Sequence, residues 1–249
     1  MCYINQIDIK TTVKLFRREL LIDFHIPVRK GFEFSDWPIF TPINNGTDVE
    51  LEMAHWELLP RFVQMAGAIP EFRRKYNTLN AKSENILQSQ VYASPARNGR
   101  CLVLSSGFFE GHHEPKTGKK GQPLSTTESF PYFIHHKEEP VFFMAGISQV
   151  WTDMAAGTTA NTFSIVTTKA NGPMRYIHNN PKNTHRMPTI LNSEQAEEWL
   201  QPDLSDERIF ALASTQLPDE LTSAYPVKKN YITSNKPTEP DLETKLKSF

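Results

Sequence analysis

Cysteine is scarce: there are two in 249 residues, Cys2 and Cys101. That count excludes a disulfide-built scaffold and a four-cysteine zinc site, and it suits a reducing cytoplasm. Glycine is also thin, eleven against eighteen prolines, a balance that favours a loop-rich α+β chain over a long helical bundle. No run approaches the roughly 18 apolar residues of a membrane span. Met1 to Gln6 hold neither a cationic region nor an apolar run, so no signal peptide is expected. The net charge is −1, from 27 Lys and Arg against 28 Asp and Glu, which argues against a generally basic nucleic-acid binder. What remains is a chain 39% hydrophobic and 22% charged. It can bury a sizeable core in one large domain or two small ones, at about 100–200 residues each.

The average charge hides a gradient. Residues 71–100 carry Arg73, Arg74, Lys75, Lys82, Arg97 and Arg100 against Glu71 and Glu84, a net of +4, whereas residues 194–220 carry eight acids against Arg208, a net of −7. The asymmetry fits a cationic face for phosphates with an acidic back, or simply two solvated faces.

Val13, Phe16 and Leu20 fall at helical spacing and predict a short amphipathic helix. Ser83 is expected to cap a helix running through Ile86, Leu87 and Val91. Strands are expected over residues 49–58, 100–105, 130–135, 141–150 and 162–168. The stretch from Lys116 to Gly121 reads as a flexible hairpin tip. Helices are expected from Asn192-Ser193 and over residues 206–213, and from Lys228 onward a closing strand and a loose polar tail. Neighbouring strands lie close enough in sequence for antiparallel hairpins, which argues for a single α+β domain rather than a doubly wound sheet. Residues 1–227 would form that domain and 228–249 the closing strand and tail.

Several residues have chemical potential. If Met1 is removed, Cys2 carries a free amine and a thiol on adjacent carbons, with ordinary pKa values of about 8 and 8.5. Such a 1,2-aminothiol condenses with an aldehyde to an imine and then to a five-membered thiazolidine. The same terminus can instead act as a nucleophile with its own amine as base. Cys101, inside the apolar run RCLVLS, reads as a buried small hydrophobe. In Gly107-Phe108-Phe109-Glu110-Gly111, aromatics and glycines surround a carboxylate suited to acid/base work. Asn80 and Lys82, in NAKSE, offer an amide and a point charge for phosphate. His178 and His185 flank a loop before Arg186-Met187-Pro188. His112-His113 and His135-His136 lack a second ligand pair at zinc spacing, so no metal and no cofactor is expected.

Cys2, NAKSE, RCLVLSSGFFEG, FMAGISQVW, TTKAN and HRMPTIL occur in the order of one family. The chain resembles the SOS response-associated peptidase (SRAP) family, whose members crosslink to abasic sites in single-stranded DNA. The resemblance runs from Cys2 to about Leu200. It implies a compact α+β domain with a twisted antiparallel sheet curved into a barrel-like core, flanked by short helices. It also implies Cys2 as nucleophile, Asn80 as the residue holding the terminal cysteine and sugar, and Glu110 as acid/base. His178 is the preferred catalytic histidine, because a loop insertion after it keeps the upstream register; His185 is the second choice. Trp56 is expected to stack on a base, and Lys82, Arg97, Arg100 and Arg186 to contact phosphates. The family start M-C-G-R is here Met1-Cys2-Tyr3-Ile4, and N-A-R is Asn80-Ala81-Lys82. The expected partner is therefore abasic single-stranded DNA, with lyase or reversal activity conceivable from the imine. The alternative is an N-terminal-nucleophile thiol peptidase.

Overall fold

A computed structural model describes residues 3–180 and 185–249. The chain opens with a long hairpin of β1 (Ile4–Leu15) and β2 (Arg18–Lys30), followed by β3 (Asp36–Ile43), β4 (Asp48–Trp56), the short β5 (Asn80–Lys82), β6 (Arg100–Ser105) and β7 (Gly107–Thr117). Then come β8 (Pro123–His136), β9 (Phe142–Asp153), β10 (Thr158–Lys169), β11 (Arg186–Pro188), β12 (Ile190–Leu191) and β13 (Thr222–Pro226). Five short helices interrupt them: α1 (Ile69–Lys75), α2 (Ala93–Asn98), α3 (Gly172–Ile177), α4 (Ser193–Trp199) and α5 (Asp206–Ala213).

Strands β10-β4-β3-β6-β9 close on themselves through a β9–β10 pairing, giving a five-stranded barrel. The other sheet is open, in the order β13-β8-β7-β1-β2. The expected barrel-like α+β core is thus present. Its pairings are antiparallel except where β10 runs parallel to β4 and to β5. Trp37, Trp56 and Phe163 are fully buried in the core, with Trp56 stacked on Phe163 at 6.2 Å. Polar edges of the tryptophans are satisfied by the carbonyls of Leu104 (2.8 Å) and Leu79 (3.1 Å), as burial requires. Cys101 is buried, and burial pushes its thiol up. A side chain at Gly146 would meet its sulfur at 2.7 Å, so glycine is required where β9 crosses β6.

Three expected elements differ. Residues 13–20 form the tip of the β1–β2 hairpin rather than a helix. Val13 and Leu20 are cross-strand partners, and Phe16 and Arg17 have φ of 50° and 60°, the left-handed pair of a two-residue hairpin turn. Their helix-like spacing comes from folding back across that turn. After Ser83 the chain makes a single 3₁₀ turn, Ser83–Asn85, and the helix begins only at Ala93. Ile86 and Val91 are buried without it. The segment from Lys228 onward has only a single bridge, Val227 to Pro240, and the strand that closes the open sheet is β13 before it. The tail is not loose either: Phe249 and Ala224 exchange both backbone hydrogen bonds (2.8 and 3.2 Å). The hairpin tip and the starts of α4 and α5 fall where expected. Asn192 and Gln195 form a reciprocal capping box on α4.

Candidate active site and its surroundings

Each site element is delivered by a local rule. β10 ends at Lys169, and Asn171 caps α3 by accepting the N–H of Met174 at 3.0 Å, while its own amide donates to Leu217 O and Thr222 Oγ1, both at 2.8 Å. Pro173 in the first turn presets the helix. The motif TTKAN is therefore the device that ends a barrel strand and starts the helix whose C-terminal neighbour is His178. β7 brings Glu110 up from the other sheet, opposite Tyr132 of β8. Asn179 joins the two sides, accepting from His113 N at 2.7 Å and donating to His113 O at 2.9 Å.

His178 is buried, and its Nδ1 accepts the backbone N–H of Arg186 at 2.9 Å. A ring nitrogen that accepts is unprotonated, so the neutral ring carries its proton on Nε2. Burial pushes the ring pKa down to about 4, against the pull of the Glu110 carboxylate. Burial also pushes Tyr231 up to about 12, with the charge of Glu110 acting in the same direction. Glu110 thus lies within electrostatic reach of both rings. A cleft of about 410 Å³ is lined by Tyr3, Ile4, Glu110, His113, Lys229 and Tyr231. Ile4 opens β1 and Tyr3 immediately precedes it, so the first described residues of the chain enter the cleft that holds Glu110.

Asn80 approaches from the barrel side. It sits in β5, in register with Ile165 of β10, and is buried. The Asn77 amide donates to Tyr3 Oη at 3.1 Å, and the Tyr92 hydroxyl donates to the carbonyls of Asn77 (3.4 Å) and Asn80 (3.3 Å). The chain start is therefore flanked by the Asn80 segment on one side and Glu110 on the other. Cys2 lies outside the described residues. His185 is exposed, and its backbone N–H donates to His178 O at 3.3 Å.

The expected DNA contacts divide. Trp56 is wholly buried and cannot stack on a base; it is a barrel core residue. Arg100 is also buried, and burial pushes it down to about 10. Its guanidinium donates to the carbonyls of Trp199 (2.7 Å), Ala96 (2.8 Å) and Arg97 (2.6 Å), neutralising the C-terminal ends of α4 and α2 rather than phosphates. Arg97 pairs in bidentate fashion with Asp206 at 2.8 and 2.6 Å, so the basic and acidic segments are clasped together instead of forming opposite faces. The Arg186 fork is occupied by Glu84, both bonds at 2.9 Å. Lys82 is exposed and makes no ion pair among the described residues.

An aromatic surface beside Tyr3 escaped the sequence reading. Phe32 is 56% exposed and lies 4.8 Å from Tyr3; Phe62 (55%) and Tyr76 (47%) lie 6.3 Å apart. Arg73 sits 3.5 Å over Phe34 and donates to buried Glu57 at 2.7 to 3.0 Å, fixing α1 beneath this surface. Burial raises the Glu57 carboxyl, but hydrogen bonds from His55 and Arg73 outweigh it and hold the group below its ordinary value. The signal available in the sequence was Gly31-Phe32-Glu33-Phe34, aromatics following a polar strand end. Among the described residues no cluster of His, Cys, Asp or Glu is arranged to hold a metal ion, and no helix is long and apolar enough to cross a membrane.

The family model described as SOS response associated peptidase (SRAP) matches residues 18–233. Abasic site processing protein YoqW of Bacillus subtilis is 29% identical over 169 residues, covering 68% of this chain and 65% of that protein. Abasic site processing protein HMCES of Gallus gallus is 30% identical over 145 residues, covering 51% of this chain and 39% of that one. The matched region thus spans just under two thirds of YoqW and well under half of HMCES. A crystal structure of a protein from Bacteroides thetaiotaomicron superposes with a TM-score of 0.72 at 33% identity, covering 88% of this chain and 84% of the other.

Proposed function

Because the chain belongs to the SRAP family, we propose that it processes abasic sites in single-stranded DNA and becomes covalently attached to them through Cys2. The observation that carries this reading is that Glu110 lines the cleft entered by the start of the chain, within electrostatic reach of the buried His178 ring, with the Asn80 segment hydrogen-bonded to Tyr3. The names of the relatives YoqW and HMCES supply the substrate class.

With Met1 removed, the Cys2 amine attacks the C1′ aldehyde of the ring-opened sugar. The carbinolamine loses its hydroxyl as water to give an imine. The thiol then adds to the imine carbon, its proton passing to nitrogen, and a thiazolidine closes with the net loss of one water. Glu110 takes up the proton that the amine sheds on attack and passes it to the departing hydroxyl. His178, neutral with its proton on Nε2, acts as a hydrogen-bond donor to the sugar oxygen during ring opening rather than as a base. Asn80 holds the reacting groups. Lys82 contacts phosphate, and Phe32, Phe62 and Tyr76 replace Trp56 as the stacking surface. Reopening of the ring followed by hydrolysis of the imine by one water releases the intact DNA, whereas β-elimination from the imine breaks the strand on the 3′ side of the sugar.

The test is the intact mass of the protein after incubation with an abasic single-stranded oligonucleotide. The expected adduct equals the protein lacking Met1 plus the oligonucleotide minus one water, and Cys2→Ala abolishes it. Crosslinking by Cys2→Ala at the wild-type level, or an adduct that retains Met1, overturns the proposal. Turnover of a peptide panel without any DNA adduct would favour the thiol peptidase instead.

A further inference from the structure

Asn80 lines a second cleft, of about 470 Å³, together with Asn77, Lys82, Asn85, Gln88, Ser89 and Tyr92. Its walls are mostly carboxamides, an unusual concentration for a surface hollow. Some of them are already committed. The Asn77 side chain accepts from Leu79 N at 3.2 Å and donates to Tyr3 Oη at 3.1 Å. The Tyr92 hydroxyl is spent on two backbone carbonyls, and burial pushes its ionisation upward, so it is a fixed neutral wall. Asn85 and Gln88 are different. Both are exposed, and among the described residues neither side-chain amide makes a hydrogen bond. The turn that carries them is held by Gln88 N and Ser89 N donating to Asn85 O at 3.2 and 3.0 Å, so the two amides stand three residues apart on a rigid frame.

A carboxamide presents one donor edge beside one acceptor edge. That pattern is complementary to the adjacent donor and acceptor of a nucleobase edge, adenine N6 and N7 above all. Unpaired single strands leave such edges free to be read. Neutral amides bring no charge to a phosphate, whereas Lys82 beside them does. We propose that this cleft receives the base of the nucleotide flanking the abasic sugar, with Asn85 and Gln88 reading its edge and adenine as the best fit. The proposal rests on the assignment of the abasic sugar to the Asn80 side of the site.

The experiment is equilibrium binding, by fluorescence anisotropy, of the full chain to single-stranded oligonucleotides containing a tetrahydrofuran abasic analogue that cannot form an imine. The 5′ or the 3′ neighbour is A, C, G, T or a second baseless spacer. Adenine at one flank is expected to bind roughly 5- to 150-fold tighter than the spacer. The Asn85→Ala/Gln88→Ala variant is expected to bind all of these oligonucleotides as wild type binds the spacer. Gln88→Glu, which removes the donor but keeps the shape, should move the preference from adenine toward cytosine, whose N4 amino group donates to a carboxylate. Both positions are exposed, so the variants should melt with wild type. Equal wild-type affinity for every neighbour, or an adenine preference that survives the double variant, overturns the proposal. Because the analogue cannot react, failure of the Cys2 chemistry leaves this result readable, and failure here leaves the crosslinking reading standing.

Discussion

The closed barrel and the open sheet use the same side-chain chemistry in opposite ways. Every residue of β6 is buried, and so are the first seven of β9. These strands face the barrel interior on one side and covering helices or sheet on the other, so alternation disappears. In the open sheet, β1 alternates along its outer half and β8 starts with five exposed residues before reaching the core. The barrel stores packing energy, and the open sheet has reach. The candidate site lies on the seam between them. Asn80 and His178 come from segments attached to barrel strand β10, whereas Ile4, with Tyr3 just before it, and Glu110 come from β1 and β7 of the open sheet. Side chains at the seam should therefore govern chemistry at little cost in stability, and barrel side chains should do the reverse.

Glu110→Gln offers the largest separation of the two. It keeps the size and a hydrogen bond at the seam but cannot move a proton, so adduct formation or reversal should slow by roughly 10²–10⁴-fold with the melting temperature unchanged. Single-turnover crosslinking followed on denaturing gels measures this. A wild-type rate would remove Glu110 from the mechanism.

Trp56→Ala is the converse. Removing a fully buried tryptophan stacked on Phe163 should cost about 3–5 kcal/mol of stability, read from denaturant unfolding. DNA affinity per folded molecule should not change. Tyr76→Ala, at the exposed surface, should instead weaken binding by about 1–3 kcal/mol and leave unfolding as it was. A swap of these two phenotypes would restore Trp56 as the stacking residue.

His178 sharpens the comparison through pH, because it is a titratable ring at the seam whose pKa burial lowers. Its folded pKa of about 4 lies below the ordinary 6.5. Between those values the unfolded chain binds a proton that the native one refuses, so stability is full above pH 6.5 and is lost as pH falls toward 4. The loss saturates near about 3 kcal/mol. Burial holds His136 down in the same direction, so the measured quantity is the difference between wild type and His178→Gln over that window. Glu57, held below its ordinary 4.5, contributes only at lower pH. Identical pH profiles for the two proteins would contradict the buried neutral ring.

Legibility followed the same division. Continuous apolar runs such as RCLVLS and motif order made the barrel strands readable. Asn192 and the acidic first turns announced α4 and α5. The hairpin at residues 13–20 was misread because two facing strands place Val13 and Leu20 at a separation that also suits a helix. Trp56 and Arg100 were misjudged for a shared reason: residue type suggests contact with nucleic acid, but only the fold says which side of the strand is inside. The ion pairs Arg97–Asp206 and Arg186–Glu84 each span over 100 residues, a separation that no local pattern encodes.

Those ion pairs set up the smallest and most discriminating comparison, among the basic residues themselves. Lys82 lies on the seam, exposed and unpaired among the described residues, whereas Arg97 spends its fork on Asp206 and Arg100 is buried against carbonyls. A cation that binds phosphate displaces counterions, and each single-strand contact contributes about 0.7 to the slope of log affinity against log salt. Lys82→Ala should therefore flatten that slope by about this amount and weaken binding uniformly across sequences. Arg97→Ala should leave the slope unchanged and barely move stability, because the lost pair lies at the surface, where solvent screens it. A titration of affinity against salt from 50 to 200 mM, run on wild type and both variants, distinguishes them. Should Arg97→Ala flatten the slope instead, the clasp to Asp206 opens when DNA binds, and the basic segment is a DNA face after all.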